Sequence, residues 1–261
     1  MAITEHRDIA LDGAQYRVSI YRHETSDKNL VRILIPAFCI NDDAFNLLRV
    51  CVESIQKFTI EPHEIWVIDN ASPIHFQNRL RRMPGINLIQ NHTTPESNLA
   101  QKRCVRRFVK HALWEVFRIG EPLQISNGAY ANAIGLELAC QVIPTTTKYI
   151  FTTHSDTLVL QSGWLTFLQS KLDSNTQAVG CWYDKIRVNA LHVGGMLIDY
   201  SVFRHLDMDF FPNTNEFQDP TLPDYDVGDL VTIKLSQNNY ATYSCSNTYN
   251  QPELVESISV T

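Results

Sequence analysis

The chain has 261 residues, of which 44% are hydrophobic, and this is enough for one large α/β domain with a sizeable core. Its formal net charge is -6, whereas a protein that wraps nucleic acid needs a basic surface to neutralise phosphates. We therefore expect no nucleic-acid partner.

The N-terminal residues lack the basic-then-apolar pattern of a secretion signal, and no apolar run approaches the ~20 residues that span a bilayer. We expect a cytoplasmic protein with no transmembrane segment, while peripheral contact with a membrane stays open. The cysteines are scattered and form no CxxC pair, which favours buried free thiols over a cysteine-based zinc site.

The first predicted element is a hairpin, because two alternating stretches flank Asp12 and Gly13, a pair that favours a tight turn. We interpret residues 1–29 as an N-terminal β-hairpin appended to the main domain. A nearly continuous apolar run over 30–36 follows, and such a run is typical of a strand in a parallel sheet that is covered on both faces.

The next elements alternate between helix and strand. Asn41 predicts a helix start, since apolar residues recur after it at helical spacing as far as Ile55. Residues 64–69 predict a second buried strand. A strand-helix-strand unit is almost always right-handed and places ligand-binding residues at the carboxyl ends of its strands, here 36–38 and 69–72.

The rest of the pattern continues this α/β alternation without an internal linker, so we predict one domain over 1–261. Residues 93–125 are interpreted as a helical insertion whose amphipathic helix has a basic outer face. Further helices are predicted over 129–140, 164–172 and 227–235, and further strands over 86–90, 148–153, 178–183, 191–198 and 240–244. The expected fold is a doubly wound α/β sheet, mixed but mostly parallel, flanked by helices.

Carboxylates fall at or near the predicted strand ends in three places: Asp69, Asp156, and a cluster of Asp224, Asp226 and Asp229. In an open α/β sheet these ends form one crevice. Carboxylates there can accept hydrogen bonds from a base or ribose, bind a hard cation, or take a proton from a hydroxyl nucleophile. This division of labour suits transfer of a group from a nucleoside diphosphate.

Five stretches of the sequence carry a family resemblance. They read VRILIPAFCINDDAFNLLRVCVESI with EIWVIDNAS, then SNGAYANAIGLELAC, YIFTTHSDTLVLQSGWLTFL, LHVGGMLIDYSVFR and PDYDVGDLVTIKLSQNNY. In this order they resemble the opening, the glycine- and asparagine-containing helix start, the metal-motif strand, the acceptor-side strand and the base-carrying segment of glycosyltransferase family 2. The resemblance covers roughly residues 30–245 and implies the GT-A nucleotide-binding fold.

The resemblance implies a nucleotide-sugar site at the strand ends. Residues 36–38 would line the nucleobase pocket, and Asp69 would hydrogen-bond the base or ribose, unless it forms only an Asx turn that closes its strand. The glycines would let the backbone approach the donor, with tight packing as the alternative. The residues implied in donor binding are Pro36, Ala37, Phe38, Asp69, Asn70, Gly128, Asn132, Ser155, Gly194 and Gly195.

A divalent metal, Mg²⁺ or Mn²⁺, is also implied, bridging the diphosphate and acting as a Lewis acid. Asp156 would be its ligand. His154 stands where the family has an acidic residue or Asn. It would bind ribose, phosphate or the metal, or else serve as a plain structural histidine.

By resemblance the transfer inverts the anomeric centre and uses one carboxylate as the base. Asp226 is the first choice for this base, with Asp229 and Asp224 as substitutes. The alternative is a structural role, in which Asp226 caps the following helix and Asp229 favours its dipole.

Three residues are candidates for contact with the acceptor. His192 would contact the acceptor or the diphosphate, with a core histidine as the alternative. Arg103 and Arg107, on the basic helix face, would attract an anionic acceptor such as a lipid diphosphate or charged glycan, or would simply be solvated.

We therefore predict a glycosyltransferase that moves a sugar from a nucleoside diphosphate sugar to a hydroxyl of a glycan or lipid-linked acceptor during glycan biosynthesis. The QxxRW signature of processive synthases is absent, which favours single additions. A sugar nucleotidyltransferase or a Rossmann dehydrogenase would need a glycine-rich loop after the first core strand, and AFCINDDAF contains no glycine. The alternative from another class is a non-catalytic nucleotide- or glycan-binding protein on the same fold.

Overall fold

The computed structural model describes residues 5–22, 30–95, 127–180, 183–184, 189–213, 225–247 and 251. In chain order the strands are β1 (Glu5–Leu11), β2 (Ala14–Tyr21), β3 (Val31–Ala37), β4 (His63–Asn70), β5 (Asn87–Asn91), β6 (Tyr149–Thr153), β7 (Thr176–Gly180), β8 (Tyr183–Asp184), β9 (Ala190–Leu191), β10 (Gly195–Asp199) and β11 (Ala241–Ser244). The described helices are α1 (Asp42–Phe58), α2 (Ile74–Leu80), α3 (Asn127–Val142), α4 (Trp164–Gln169), α5 (Tyr200–His205) and α6 (Asp229–Gln237).

Nine strands form one mixed sheet in the order β1-β2-β5-β4-β3-β6-β10-β7-β11, and β8 pairs separately with β9. The centre is parallel, because β3 pairs in parallel with both β4 and β6, and β4 pairs in parallel with β5. On one side β10 runs antiparallel between β6 and β7. The predicted fold class, a mixed α/β sheet flanked by helices, is confirmed.

The N-terminal hairpin turns at Asp12 and Gly13, which both have positive φ angles of 45° and 72°. A two-residue loop of this kind matches the twist of the strands that it joins. Strand β2 then pairs antiparallel with β5, so the hairpin extends the main sheet at its edge. The Tyr130 hydroxyl donates to the Asp12 carboxylate at 2.6 Å, which ties the hairpin turn to the first part of α3.

Helices cover both faces of the sheet, as alternation along β3 illustrates. Ile33 and Ile35 belong to the apolar cluster that includes Leu48 of α1, whereas Leu34 belongs to the cluster on the other face with Ile134 of α3. Helix α1 begins where the sequence predicts, because the Asn41 side chain accepts a hydrogen bond from the backbone N–H of residue 44 at 2.8 Å.

A buried ion pair joins the amino ends of β3 and β4, away from the carboxyl ends. Arg32 Nε lies 2.9 Å from Glu64 Oε2, with side chains only 4% and 7% exposed. Arg32 also donates to Thr147 Oγ1, and Trp66 Nε1 donates to Glu64, each at 2.9 Å. These hydrogen bonds compensate part of the cost of burying both charges.

Two differences from the predicted elements bear on the site. The single strand predicted over 191–198 is wrong, because a turn at 192–194 separates β9 from β10, and Gly194 therefore lies in the turn rather than on a strand. The predicted insertion over 93–125 lies outside the described residues, apart from 93–95. Among the described helices, none has both the length and the apolar character that crossing a bilayer requires.

Candidate functional site

A cavity of about 490 Å³ opens at the carboxyl ends of the parallel strands; we call it the donor cavity. Its walls come from the ends of β3 and β4, the chain just after β5 and β6, and the first turns of α3. The lining residues are Pro36, Ala37, Phe38, Asn70, Ala71, Thr94, Pro95, Gly128, Ala131, Asn132, His154, Ser155 and Asp156. Segments far apart in the chain thus meet where a doubly wound sheet usually binds its ligand.

Most of the residues singled out for donor and metal binding lie in this wall. The exceptions among described residues are Asp69, Gly194 and Gly195. Thr94, Pro95 and Ala131 were not predicted, although the position of Thr94 and Pro95 just after a buried strand was a usable signal, whereas Ala71 lies within the predicted strand end 69–72. The binding roles of all these residues stay predictions.

The start of α3 faces the donor cavity because the helix packs closely on the ends of β3 and β4. A β-carbon at Gly135 would lie 3.1 Å from both Pro36 Cβ and Asn70 Nδ2, so glycine permits this contact. Asn70 Nδ2 also donates to the carbonyl of Ala131 at 2.5 Å. Helix N-termini favour anions, and among the other described segments no atom lies within 4 Å of where a β-carbon of Gly128 would be.

His154 follows β6 directly and faces α3 and the loop before α6. Its Nε2 atom lies 3.3 Å from Asn132 Nδ2. Burial lowers the pKa of His154, and the carboxylates of Asp156 and Asp226 oppose this shift without reversing it. The ring is therefore neutral near pH 7 and has one lone pair, at Nε2, which accepts from Asn132 Nδ2, so a cation would bind His154 in place of this hydrogen bond.

The turn before β10 brings a second histidine against the first. His192 Nδ1 accepts a hydrogen bond from Gly194 N at 3.0 Å, so in the neutral ring the proton lies on Nε2. The rings of His154 and His192 meet edge to face, with centroids 5.3 Å apart. Thr153 Oγ1 donates to the Gly194 carbonyl at 3.3 Å, which fixes the turn to the end of β6.

The acidic segment before α6 approaches this histidine pair. Asp226 is half-buried and close enough to His154 to affect its pKa, while its Oδ1 accepts from Val227 N at 2.8 Å. Asp229 is buried, and its Oδ2 accepts from Asp226 N at 2.9 Å. The N-cap of α6 is Gly228, with no side-chain cap, so Asp226 does not cap this helix.

Asp69 lies at the end of β4, one residue before the last, but is fully buried and does not line the donor cavity. Its Oδ1 accepts from Ser72 N at 3.2 Å, in the manner of an Asx turn, and Ala71 between them has a φ of 62°. Its Oδ2 has no hydrogen-bond partner among the described residues. Burial raises the pKa of Asp69 to about 6, against hydrogen bonds from Ser72. Contact with a base or ribose would require the covering residues to move.

Asp156 and His154 are the residues that could hold a metal. The described residues contain no group of three His, Cys, Asp or Glu side chains able to hold an ion alone. One exposed carboxylate and one neutral imidazole fit a divalent ion whose remaining ligands come from a bound diphosphate. Asp224, Arg103 and Arg107 lie outside the described residues.

Two solved structures resemble this chain in fold. The mannosyltransferase PcManGT from Pyrobaculum calidifontis, in complex with GDP-Man and Mn²⁺, superposes with a TM-score of 0.53 at 16% identity over 83% of this chain and 55% of that one. An active-site mutant of LgtC gives 0.50 at 14% identity over 84% of this chain and 73% of that one. The chain thus spans about half the length of the mannosyltransferase.

Both likenesses concern the fold. At these identities they establish a GT-A-type sheet with flanking helices, the architecture that the sequence predicts. Comparison with protein-family profiles and with curated protein sequences finds no match.

Proposed function

We propose that the chain is a glycosyltransferase that moves a sugar from a nucleoside diphosphate sugar to a hydroxyl acceptor, with inversion, one addition at a time and with help from a divalent metal. The observation that carries the proposal is the donor cavity. On a GT-A-type fold, it gathers strand ends, a helix N-terminus, one carboxylate and one neutral histidine around a volume of about 490 Å³.

In this proposal the nucleoside lies against the ends of β3 and β4. Phe38 is 56% exposed at the cavity wall and offers a face on which a base can stack. The diphosphate then points to the N-terminus of α3, where backbone N–H groups favour its charge. The base or ribose contact predicted for Asp69 would follow a shift of the turn around Ala71.

The metal, Mg²⁺ or Mn²⁺, would be held by Asp156, with His154 as a second ligand, and would offset charge on the leaving diphosphate. Asn132 and the turn that contains Gly194 hold the His154 ring in place, and the metal would replace Asn132 Nδ2 at His154 Nε2. Beside the His154 ring, the Nε2–H group of His192 would donate a hydrogen bond to an oxygen of the diphosphate or of the acceptor substrate.

The chemical step needs a base opposite the leaving diphosphate. Asp226 would take the proton of the acceptor hydroxyl while that oxygen forms its bond to the anomeric carbon and the bond to the diphosphate breaks. Asp229 would act on Asp226 through the backbone, since its carboxylate accepts from Asp226 N. The acceptor would be a glycan or a lipid-linked acceptor.

One set of observations favours the alternative of a non-catalytic nucleotide- or glycan-binding protein. Asp69 is closed off from the cavity, and only two of the described side chains there suit a metal. Such a protein would bind the donor without turning it over.

Release of nucleoside diphosphate separates these functions. UDP-, GDP- and dTDP-sugars are incubated with Mn²⁺, with and without a panel of glycan and lipid-linked acceptors. Acceptor-stimulated release from one donor supports transfer. Metal-dependent binding of a donor with no turnover on any acceptor supports the binding protein.

A further inference from the structure

A second groove, of about 360 Å³, lies on the hairpin side of the sheet; we call it the outer groove. Its lining residues are Asp8, Gln15, Arg17, His92 and Thr93. They come from β1, β2 and the chain after β5, and Arg17 N donates to Thr93 Oγ1 at 3.1 Å. The groove is therefore built by strand pairing rather than by one mobile loop.

Two histidines are fixed at this groove by one hydroxyl. Ser19, which is buried, has its Oγ 2.6 Å from His92 Nε2 and 3.1 Å from His6 Nδ1. A hydroxyl has one proton, so it donates to one ring and accepts from the other. When Ser19 donates to His92, the proton of the neutral His92 ring lies on Nδ1 and makes that nitrogen a hydrogen-bond donor.

The surroundings of His92 are electropositive. Burial lowers the pKa of His92, and the nearby charges of Arg81, His6 and Arg17 lower it further. The one carboxylate in the lining is Asp8, whose Oδ1 lies 3.4 Å from Arg17 Nε with both side chains at least 66% exposed. An exposed pair at that distance is weak, and an anion can displace it.

The outer groove adjoins the donor cavity along the chain. His92 and Thr93 line the groove, and the next two residues, Thr94 and Pro95, line the cavity. We propose that the outer groove binds an anionic group of the acceptor, a phosphate, sulfate or carboxylate, with Arg17 and His92 as its hydrogen-bond donors. The assignment to the acceptor rests on the proposed function, whereas anion binding itself does not.

The test is a titration with inorganic phosphate, followed through the ring signals of the histidines in ¹H–¹³C NMR spectra. The signals of His6 and His92 should move together and saturate. Arg17→Gln should weaken phosphate binding about fivefold or more, because it removes a charge-assisted hydrogen bond. Asp8→Asn should tighten binding, since it removes the competing carboxylate. Arg22→Gln is the matched control just after the same strand, where Arg22 pairs with Glu5 instead, and should change nothing.

Shifts confined to His154 and His192, or an affinity that Arg17→Gln leaves unchanged, would overturn the site. Parallel titrations with glucuronate, a sulfated monosaccharide and neutral glucose identify the source of the anion. Acidic sugars that bind more tightly than inorganic phosphate support an acceptor subsite; binding of inorganic phosphate alone contradicts it. If His6 and His92 respond but no nucleotide sugar is ever bound or turned over, the proposed function fails and the anion site stands.

Discussion

Because Gly194 has no side chain, the ring of His154 can lie directly beside it. A β-carbon at position 194 would lie 3.0 Å from His154 Nδ1, and 2.9 Å from Nδ1 of the neighbouring His192. Real β-carbons essentially never come closer than 3.0 Å to another heavy atom, so the His192 ring would have to shift, and the His154 ring would have to give by a few tenths of an ångström.

Gly194→Ala should therefore displace one or both histidine rings. Since neither ring belongs to an apolar core cluster, we expect the free energy of unfolding to fall by no more than about 2 kcal/mol. Donor affinity should fall about tenfold or more, because His154 leaves its contact with Asn132. Calorimetric titration with the donor measures the affinity, and urea unfolding checks that the fold persists. An unchanged donor affinity in a folded variant would remove His154 from the donor site.

Asp226→Asn should separate chemistry from binding. The amide has the same shape but cannot take a proton, so kcat should drop by about 10²- to 10⁴-fold while the Kd of the donor stays within about twofold. Asp43→Asn, the same change on the exposed first turn of α1, is the control. Comparable losses in both variants, or full activity in Asp226→Asn, would require another base.

Breaking the buried Arg32–Glu64 pair, at the amino ends of β3 and β4, should lower the free energy of unfolding much more than breaking an exposed ion pair. Glu64→Ala leaves the Arg32 charge and the Trp66 Nε1–H without their partner, so we expect a loss of about 3–5 kcal/mol in the free energy of unfolding. Glu53→Ala breaks the exposed pair with Arg49 and should cost at most about 0.5 kcal/mol. Urea unfolding of both variants measures the difference, and equal losses would contradict the assigned role of burial.

Glu137 should make stability depend on pH. Burial raises its pKa to about 8 from 4.5, with further increases from Asp209 and Asp207, while a hydrogen bond from Phe210 N at 2.7 Å opposes the shift. The folded state thus holds this proton more tightly, and the stabilisation present below about pH 4.5 is lost as the pH rises to about 8.

Glu137→Gln keeps an acceptor for Phe210 N and removes the titration. Relative to wild type, this variant should gain roughly 1–4 kcal/mol in unfolding free energy between about pH 5 and about pH 8. Glu53→Gln, on the surface, should show no such trend. A difference between Glu137→Gln and wild type that is constant with pH would mean that Glu137 is not protonated in the folded protein.

Local sequence patterns were sufficient to predict the elements that depend only on their own residues and immediate neighbours. The run over 30–36 predicted β3 because both of its faces are covered, and Asn41 predicted the start of α1 because a cap acts on the very next turn. The hairpin followed in the same way from Asp12 and Gly13, whose positive φ angles the turn requires.

Such local patterns could not predict contacts between segments that are far apart in the sequence. Nothing in the sequence near β10 specifies that it runs antiparallel between β6 and β7, since register depends on the partner strands. For the same reason the approach of Asn132 to His154, on different elements, was not predicted. Asp69 was placed correctly at a strand end, but whether its side chain faces the cavity depends on the turn at Ala71, which folds the chain over it.

The proposed transfer requires the donor cavity to hold a nucleoside diphosphate sugar together with a metal. The decisive experiment is thermal unfolding of wild type and of Asp156→Ala with UDP-, GDP- and dTDP-sugars, in the presence of Mn²⁺ or of EDTA. We predict that one donor raises the wild-type Tm by several degrees with Mn²⁺, because a ligand that binds only the folded state stabilises it by mass action. This gain should be largely lost in EDTA and in Asp156→Ala. No shift with any donor, or an equal shift in Asp156→Ala, would contradict the account.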